Sequence, residues 1–187
     1  MDRMSLQSPL SGFTLLELMI VLVVLAVLLV AGVPSMQTLL HRNRLRTEAG
    51  RLLAAINMAR SEAVMRNSPV SICPSSMTDS GEAICSGIYA DGWIVFSNPG
   101  KDRVVDPDTD EVLRVFAGLP TGFTLTNRAG TRNALELINY LPDGSSRRNR
   151  TLLICPHRSS TVAPLSIVIN IVGRPRLARN WGQCSPA

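Results

Sequence analysis

The longest apolar run in the chain covers residues 13–33, which hold twenty-one residues and one charged side chain, Glu17. A helix of that length spans ~30 Å, the hydrocarbon thickness of a bilayer. The polar leader before it, residues 1–12, ends in Gly12, and no small-x-small cleavage site follows the run. The pattern therefore predicts a membrane-spanning helix and not an ordinary secretory signal. A carboxylate inside such a span is costly, which marks Glu17 as a functional candidate.

A second helical pattern follows the apolar run. From Met36 to about Arg66 apolar residues recur every three or four positions, so residues 34–66 are predicted to form an amphipathic helix outside the membrane. Pro34 is expected to bend the helix, and Asn67-Ser68-Pro69 to end it. The predicted apolar face consists of Leu45, Ala49, Leu52, Ile56, Ala59 and Ala63.

Beyond Pro69 the pattern becomes β-like, with short apolar runs separated by Gly, Pro, Asn and Asp. Composition and pattern thus predict an α+β chain with one domain over residues 67–187. Trp93 and Phe96 are interpreted as packing residues of a sheet. Segments 74–90 and 101–111 are expected to be loops. The predicted strands are residues 70–73, 92–97, 112–116, 124–126, 135–140, 151–155 and 165–172.

The charge distribution points to an anionic partner. The net charge is +5, and after Asp143 no acidic residue follows. A C-terminal segment of one sign favours binding to an anion. No G-x-S-x-G, P-loop or H-E-x-x-H motif occurs, so the sequence does not predict an enzyme. The arginines after Asp143 are Arg147, Arg148, Arg150, Arg158, Arg174, Arg176 and Arg179.

Four cysteines, all outside the apolar run, suit an oxidising compartment. Three disulfide pairings are possible. The favoured one joins Cys73 to Cys85, closing a short loop, and Cys155 to Cys184, tying the C-terminal segment to a strand.

No metal or cofactor is predicted. His157 lies two residues after Cys155, but Cys73 and Cys85 lack the C-x2-C spacing of a zinc site. The acidic residues between Lys101 and Glu111 do not have the spacing of a calcium-binding EF-hand, so a solvated loop is the favoured interpretation.

The N-terminal stretch GFTLLELMIVLVVLAVLLVAGVP (residues 12–34) resembles the class III signal of type IV pilins and type II secretion pseudopilins. The resemblance rests on Gly12, Phe13, Thr14, Glu17 and Pro34. It implies that a prepilin peptidase cuts after Gly12 and methylates the new N-terminal Phe13. It also implies that Glu17 meets the N-terminal amine of a neighbouring subunit during filament assembly, and that Pro34 bends the helix. A plain signal anchor would explain the apolar run but not these residues.

The resemblance also implies a location. The protein would cross the inner membrane once, with its C-terminal domain in the periplasm, and then enter a pilus or pseudopilus. The partners so implied are other pilins and minor pilins, the prepilin peptidase and the inner-membrane assembly platform.

Further segments resemble the GspH/FimT/FimU module of minor pilins: DGWIVFSNPG, INYLPDGSS, TLLICP, LSIVINIVGRPR and the helix end RTEAGRLLAAINMARSEAVMRNSPV. This resemblance implies a long N-terminal helix whose second half packs on two antiparallel sheets. The family usually has aspartate where Asn98 stands.

The segment Gly173-Arg174-Pro175-Arg176, followed by Arg179, closes the last predicted strand and is expected to be an exposed turn or tail. Pro175 is expected to splay Arg174 and Arg176 apart. The four residues resemble the G-R-x-R tail by which FimT-like minor pilins bind DNA in natural transformation. The resemblance implies DNA binding by Gly173, Arg174 and Arg176, to which the charge pattern adds Arg179 and, more loosely, Arg147, Arg148 and Arg150. Trp181 is a candidate for stacking on a base.

Two functions therefore compete. The first is a FimT-like minor pilin that is incorporated in or primes a type IV pilus and binds DNA without reading its sequence. The alternative is a structural, GspH-like pseudopilin of a type II secretion system that does not bind DNA.

Overall fold

The computed structural model describes residues 12–156 and 162–184. The leader before Gly12, as well as His157 and Arg158, lies outside the described residues. The chain divides into two units, Met1–Leu39 and Leu40–Ala187. Of the helices in the described residues, none has the length and apolar character needed to cross a membrane. The span predicted over residues 13–33 stays a prediction from the sequence.

Helix α1 comprises Leu15–Arg66 and does not end at Pro34. It ends where the sequence predicts, because Asn67 adopts a left-handed conformation with φ 47°. The amide of Asn67 donates to the Val64 carbonyl and that of Ser68 to the Ala63 carbonyl, both at 3.3 Å. These are the two hydrogen bonds of a Schellman motif, and the proline that follows cannot continue the helix.

Two four-stranded antiparallel sheets make up the rest of the unit Leu40–Ala187. The first has the order β3-β2-β1-β5 and the second the order β4-β6-β7-β8. The chain also contains a four-residue helix, α2, at Met77–Ser80. The strands are β1 Val70–Pro74, β2 Gly92–Ser97, β3 Val112–Ala117, β4 Thr124–Asn127, β5 Ile138–Tyr140, β6 Arg150–Cys155, β7 Leu165–Ile169 and β8 Pro175–Arg179.

One hydrophobic core joins α1 to both sheets. All six residues of the predicted apolar helix face are at most 1% exposed, which confirms that face. Ala49, Ala59 and Ala63 carry small side chains that allow the sheets to approach the helix closely. Trp93 and Phe96 are fully buried, as expected. From the sheets the core takes Val70, Ile72, Trp93, Val95, Ile138, Tyr140, Leu125, Leu152, Ile154, Leu165, Ile167 and Ile169.

Four predictions of local structure differ from the structure. Residues 135–137 do not belong to β5, and residues 170–172 form a turn and not the end of β7. The expected loop over residues 74–90 contains α2. The segment expected to be an exposed turn or tail is an exposed turn up to Arg174, but from Pro175 it is strand β8, which pairs with β7 from Pro175↔Ile169 to Arg179↔Leu165. Proline is tolerated there because β8 is an edge strand and Pro175 is its first residue.

Candidate functional site

The N-terminal end of α1 is capped by its own side chains. The amide of Glu17 donates to Oγ1 of Thr14 at 3.2 Å, and the amide of Leu18 to the Thr14 carbonyl at 3.2 Å. A threonine cap with glutamate three residues later satisfies free amides and places a negative charge at the positive end of the helix. Glu17 is exposed, and in the described residues it forms no ion pair with another side chain.

The apolar side chains of the unit Met1–Leu39 are exposed wherever the structure describes them. Phe13 is 84% exposed and Leu15 77%. A continuous apolar surface of this kind is typical of a segment that contacts a membrane or other protein chains.

The cysteines form two disulfides, Cys73–Cys85 and Cys155–Cys184, with Cα–Cα distances of 5.5 and 5.8 Å. This is the pairing that the sequence favoured. In the ranges 12–156 and 162–184, no group of three His, Cys, Asp or Glu side chains is arranged to hold a metal ion. In the acidic loop, Asp106 accepts the amide of Asp108 at 3.0 Å and Asp110 accepts that of Asp106 at 3.1 Å.

The arginines near the C-terminus lie on the β7–β8 hairpin, which comprises β7, the turn of residues 170–174 and β8. Arg174 is in the turn, and its amide donates to Oδ1 of Asn170 at 2.8 Å. Arg176 and Arg179 belong to β8. All three arginines are exposed.

The alternation of side chains along β8 separates Arg176 from Arg179. Leu177 pairs with Ile167 of the core, so Leu177 and Arg179 lie on the side of the sheet that faces the core. Arg176 pairs with Val168 and lies on the outer side. The arginines are thus spread over the turn and both faces of an edge strand, and not along one line.

Trp181 contacts two guanidinium groups. The Cζ atom of Arg128 lies 5.0 Å from the centre of its ring, and that of Arg176 lies 5.4 Å from it. Both distances are within the range of cation–π attraction, which holds the two side chains near each other on the outer side of the sheet. Both guanidinium groups lie over the ring, so a base could stack on Trp181 only where they leave the ring accessible. Stacking of a base on Trp181 stays a prediction.

Gly173 is buried in the turn and has a structural role. Its φ of 82° lies in the left-handed region. A Cβ atom there would collide with the carbonyl oxygen of Gly144 and lie 3.0 Å from the ring of Tyr140. Burial raises the pKa of Tyr140, so this ring stays neutral. Only glycine fits, and it holds the turn against the segment that contains Gly144.

The turn is hydrogen-bonded to the segment of residues 143–149, which we call the β5–β6 loop. The amide of Ser146 donates to the Ile171 carbonyl at 3.3 Å, and the amide of Ile171 donates to Oδ1 of Asn149 at 2.8 Å. The one hydrogen of the Ser146 hydroxyl is shared between the Asn170 carbonyl at 3.2 Å and the Arg148 carbonyl at 3.0 Å. The structure therefore brings the loop that carries Arg147 and Arg148 to the turn that carries Arg174.

The last acidic residue of the chain, Asp143, is part of this loop. Its pKa is lowered by the hydrogen bond from the amide of Ser145, which measures 2.9 Å, by the Ser145 side chain and by the positive charge of Arg147. The charged carboxylate thus stabilises the loop.

Sequence reasoning did not identify Arg128 as a neighbour of the predicted site. It lies 48 positions before Arg176 in the chain. The two arginines lie near each other because both contact the ring of Trp181, which follows β8 in the chain. A single sequence carries no signal for such a contact.

Solved structures of minor pilins are similar to this chain. The type IV minor pilin FimU of Pseudomonas aeruginosa (strain PAO1) matches in two crystal forms, at 23% and 22% identity and with TM-scores of 0.53 and 0.51. These matches cover 73% and 71% of this chain and 90% and 91% of FimU. The minor pseudopilin EpsH from the Type 2 Secretion System of Vibrio cholerae matches at 13% identity and a TM-score of 0.51, over 73% of this chain and 97% of EpsH. These likenesses establish the fold: a long N-terminal helix packed on two antiparallel sheets.

Family models match both parts of the chain, whereas no curated protein matches its sequence. Residues 11–33 match the prokaryotic N-terminal methylation motif, which implies processing by a prepilin peptidase, anchoring in the inner membrane and other pilins as partners. Proteins of this kind are structural and not enzymes. Residues 48–173, more than half of the chain, match the type II transport protein GspH. The chain therefore belongs to the GspH family and is a minor pilin or pseudopilin with an N-terminal methylation motif.

Proposed function

We propose that the chain is a minor pilin that is incorporated in or primes a type IV pilus, and that its β7–β8 hairpin binds DNA for uptake in natural transformation. One observation carries the proposal: Arg174, Arg176 and Arg179 lie exposed on one hairpin. In the part of the chain that the structure describes, none of them forms an ion pair with a carboxylate.

Exposed guanidinium groups suit phosphates, because they donate paired hydrogen bonds in a planar arrangement. Their spread over the turn and both faces of β8 suits contacts to several phosphates of a wide, curved ligand. Phosphate contacts carry no sequence information directly, so the binding is expected to be indifferent to base sequence. The strong dependence of such binding on salt gives a direct signature.

The motif supports the same proposal. Gly173-Arg174-Pro175-Arg176 resembles the G-R-x-R of FimT-like minor pilins, and its residues now have distinct roles. Gly173 shapes the turn, Pro175 opens the edge strand, and Arg174 and Arg176 present charge. The likeness to FimT-like members rests on this motif, whereas the similar structures are FimU and EpsH.

At the N-terminal end we propose that the prepilin peptidase cuts after Gly12 and methylates Phe13. The exposed apolar residues of the unit Met1–Leu39 need an apolar environment. Before assembly this is the inner membrane, crossed once with the C-terminal domain in the periplasm, and after assembly it is the packed helices of neighbouring subunits. Glu17 then pairs with the amine of a neighbour's Phe13, which offsets the cost of placing a carboxylate there.

A second candidate is a structural pseudopilin of a type II secretion system, without DNA binding. The family match to the type II transport protein GspH and the similarity to EpsH favour it. Both candidates use the peptidase, an inner-membrane assembly platform and other pilins. They differ in the machine and in the role of the hairpin arginines.

A deletion strain distinguishes the two candidates. Loss of the gene should abolish DNA uptake and leave the secretion of type II substrates unchanged. Complementation with Arg174→Ala/Arg176→Ala should restore filaments but not transformation, because the fold is intact and only charge is lost. Complementation with Arg44→Ala/Arg46→Ala, two exposed arginines of α1, is the matched control and should restore both. Loss of secretion with normal DNA uptake would establish the pseudopilin function instead.

A further inference from the structure

A basic cleft lies on a different part of the domain from β8. It has a volume of about 670 Å³ and is open to solvent. Three segments line it: the start of the acidic loop, residues 136–141 in and beside β5, and the β5–β6 loop with the first residue of β6. Five cationic side chains face this cleft: Lys101, Arg103, Arg147, Arg148 and Arg150.

The charge of the cleft is largely unneutralised. Glu136 is the one carboxylate that lines it, and it accepts a hydrogen bond from Arg150 at 3.1 Å. No ion pair within the described residues involves Lys101, Arg103, Arg147 or Arg148. The charge of Arg147 also attracts the carboxylate of Asp143, which does not line the cleft. The four cations without an ion pair repel each other, so an anion that enters the cleft relieves repulsion as well as gaining attraction.

The backbone on both sides of the cleft is held in place by hydrogen bonds from side chains. On one side, Nδ2 of Asn139 donates to the Lys101 carbonyl at 3.0 Å, and buried Asn98 donates to the Asp102 carbonyl at 2.8 Å. On the other side, buried Ser146 donates to the Arg148 carbonyl at 3.0 Å. The backbone that carries these charges is thus preorganised, which reduces the loss of conformational entropy on binding.

Two of the cationic residues have a positive backbone φ angle. Lys101 has φ 60° and Arg147 has φ 55°, a left-handed conformation that costs free energy for residues other than glycine. Glycine or asparagine would occupy such positions with less strain.

We propose that this cleft binds phosphates of the same DNA molecule that contacts the β7–β8 hairpin; the inference rests on the proposed DNA-binding function. The β5–β6 loop connects the two, since Arg147 and Arg148 line the cleft while Ser146 and Asn149 are hydrogen-bonded to the turn that precedes β8. Duplex DNA carries a continuous row of phosphates, with one negative charge per ~1.7 Å of its axis, so a single molecule offers phosphates to both places.

Lys101 provides a direct probe, because it is the only lysine of the chain. The full-length protein in uncharged detergent is treated with an amine-acetylating reagent, with and without saturating duplex DNA of random sequence. Acetylation of Lys101 is followed by mass spectrometry. DNA should slow it at least severalfold at low salt, and the protection should disappear as salt releases the DNA. Anisotropy in the same samples shows whether DNA is bound. If DNA is bound and the rate of Lys101 acetylation is unchanged, the inference is overturned while the proposed function stands.

A pair of variants tests the opposite side of the cleft. Arg147→Gln/Arg148→Gln should weaken binding about tenfold and flatten the log–log salt dependence by about two units, one for each lost phosphate contact. Arg44→Gln/Arg46→Gln on α1 removes the same charge elsewhere and should change the slope little. Equal effects of the two pairs would contradict the inference. A loss with the cleft pair but none with Arg174→Ala/Arg176→Ala would show DNA at the cleft alone, which contradicts both the hairpin as a site and a ligand shared with it.

Discussion

The Nε of Arg60 donates a 2.9 Å hydrogen bond to the carbonyl oxygen of Gly144. The same carbonyl also packs closely against Gly173, which belongs to the turn that carries Arg174. One peptide group thus connects the second half of α1, the β5–β6 loop and the β7–β8 hairpin. The β5–β6 loop with Arg147 and Arg148 and the turn with Arg174 therefore both meet α1 at this junction.

We predict that Gly173→Ala destabilises the domain strongly. The substitution requires a left-handed alanine and a collision with the Gly144 backbone, which a side-chain movement cannot relieve. A loss of at least ~1–3 kcal/mol in the free energy of unfolding is expected from the backbone strain alone. Denaturant unfolding followed by circular dichroism measures it.

Gly50→Ala is the matched control for this substitution. Gly50 lies within α1 and a Cβ atom there has no neighbour within 4 Å. Alanine should therefore stabilise the domain, by up to ~1 kcal/mol, because it favours the helix. Equal effects of the two substitutions would contradict the role assigned to Gly173.

Arg60→Gln tests the junction from the helix side. It removes the charged donor to the Gly144 carbonyl, in a partly buried position, and should destabilise the domain by ~1–3 kcal/mol. Arg44→Gln, at an exposed position of the same helix, should change stability by less than ~0.5 kcal/mol. Thermal or chemical unfolding of both variants checks the difference, and an Arg60 variant as stable as the Arg44 variant would show that the bond contributes nothing.

Asp143 should give the domain a pH-dependent contribution to stability. Its folded pKa lies below the ordinary value of 3.8, so the contribution is fully present above pH 3.8 and is lost as the pH falls through the folded pKa. Asp143→Asn should therefore be less stable than the wild type near pH 7 and equally stable in strong acid. Melting curves at both pH values measure this. Ser145→Ala leaves the backbone donor in place, so its stability near pH 7 should lie between those of the wild type and Asp143→Asn. If Asp143→Asn were also less stable than the wild type in strong acid, the prediction would be contradicted.

Processing makes the N-terminal assignment testable. Because Gly12 precedes Phe13, protein isolated from filaments should begin with methylated Phe13, as seen by mass spectrometry. Gly12→Ala should be processed better than Gly12→Arg, because the peptidase needs a small residue before the cut. An intact leader on protein within filaments would contradict the assignment.

The sequence predicted the elements that depend on local pattern. The helix face from Leu45 to Ala63, its end at Asn67 and the favoured disulfide pairs all appear in the structure. The helix face, the helix end and the Cys73–Cys85 pair follow from periodicity, capping and short spacing, which nearby residues determine.

Apart from the favoured Cys155–Cys184 pair, the contacts between distant segments that form the candidate sites could not be predicted. Pro175 and two arginines suggested an exposed tail, yet β8 forms because β7 offers it an unpaired edge. The basic cleft likewise exists only because the folded domain places Lys101 beside the β5–β6 loop, 46 positions before Arg147. In the sequence, Lys101 belonged to an acidic segment and gave no indication of an anion site.

The most direct test of the central claim is fluorescence anisotropy of labelled duplex DNA with the full-length protein in uncharged detergent, at several salt concentrations. Wild type should bind in roughly the micromolar range, with a log–log salt slope of about −0.9 per phosphate contact and little dependence on sequence. Arg174→Ala and Arg176→Ala should each weaken binding and flatten the slope by about one unit, whereas Arg42→Ala on α1 should do neither. A double variant of Arg174 and Arg176 that binds as tightly as wild type, or a wild type that does not bind at low salt, would contradict the claim.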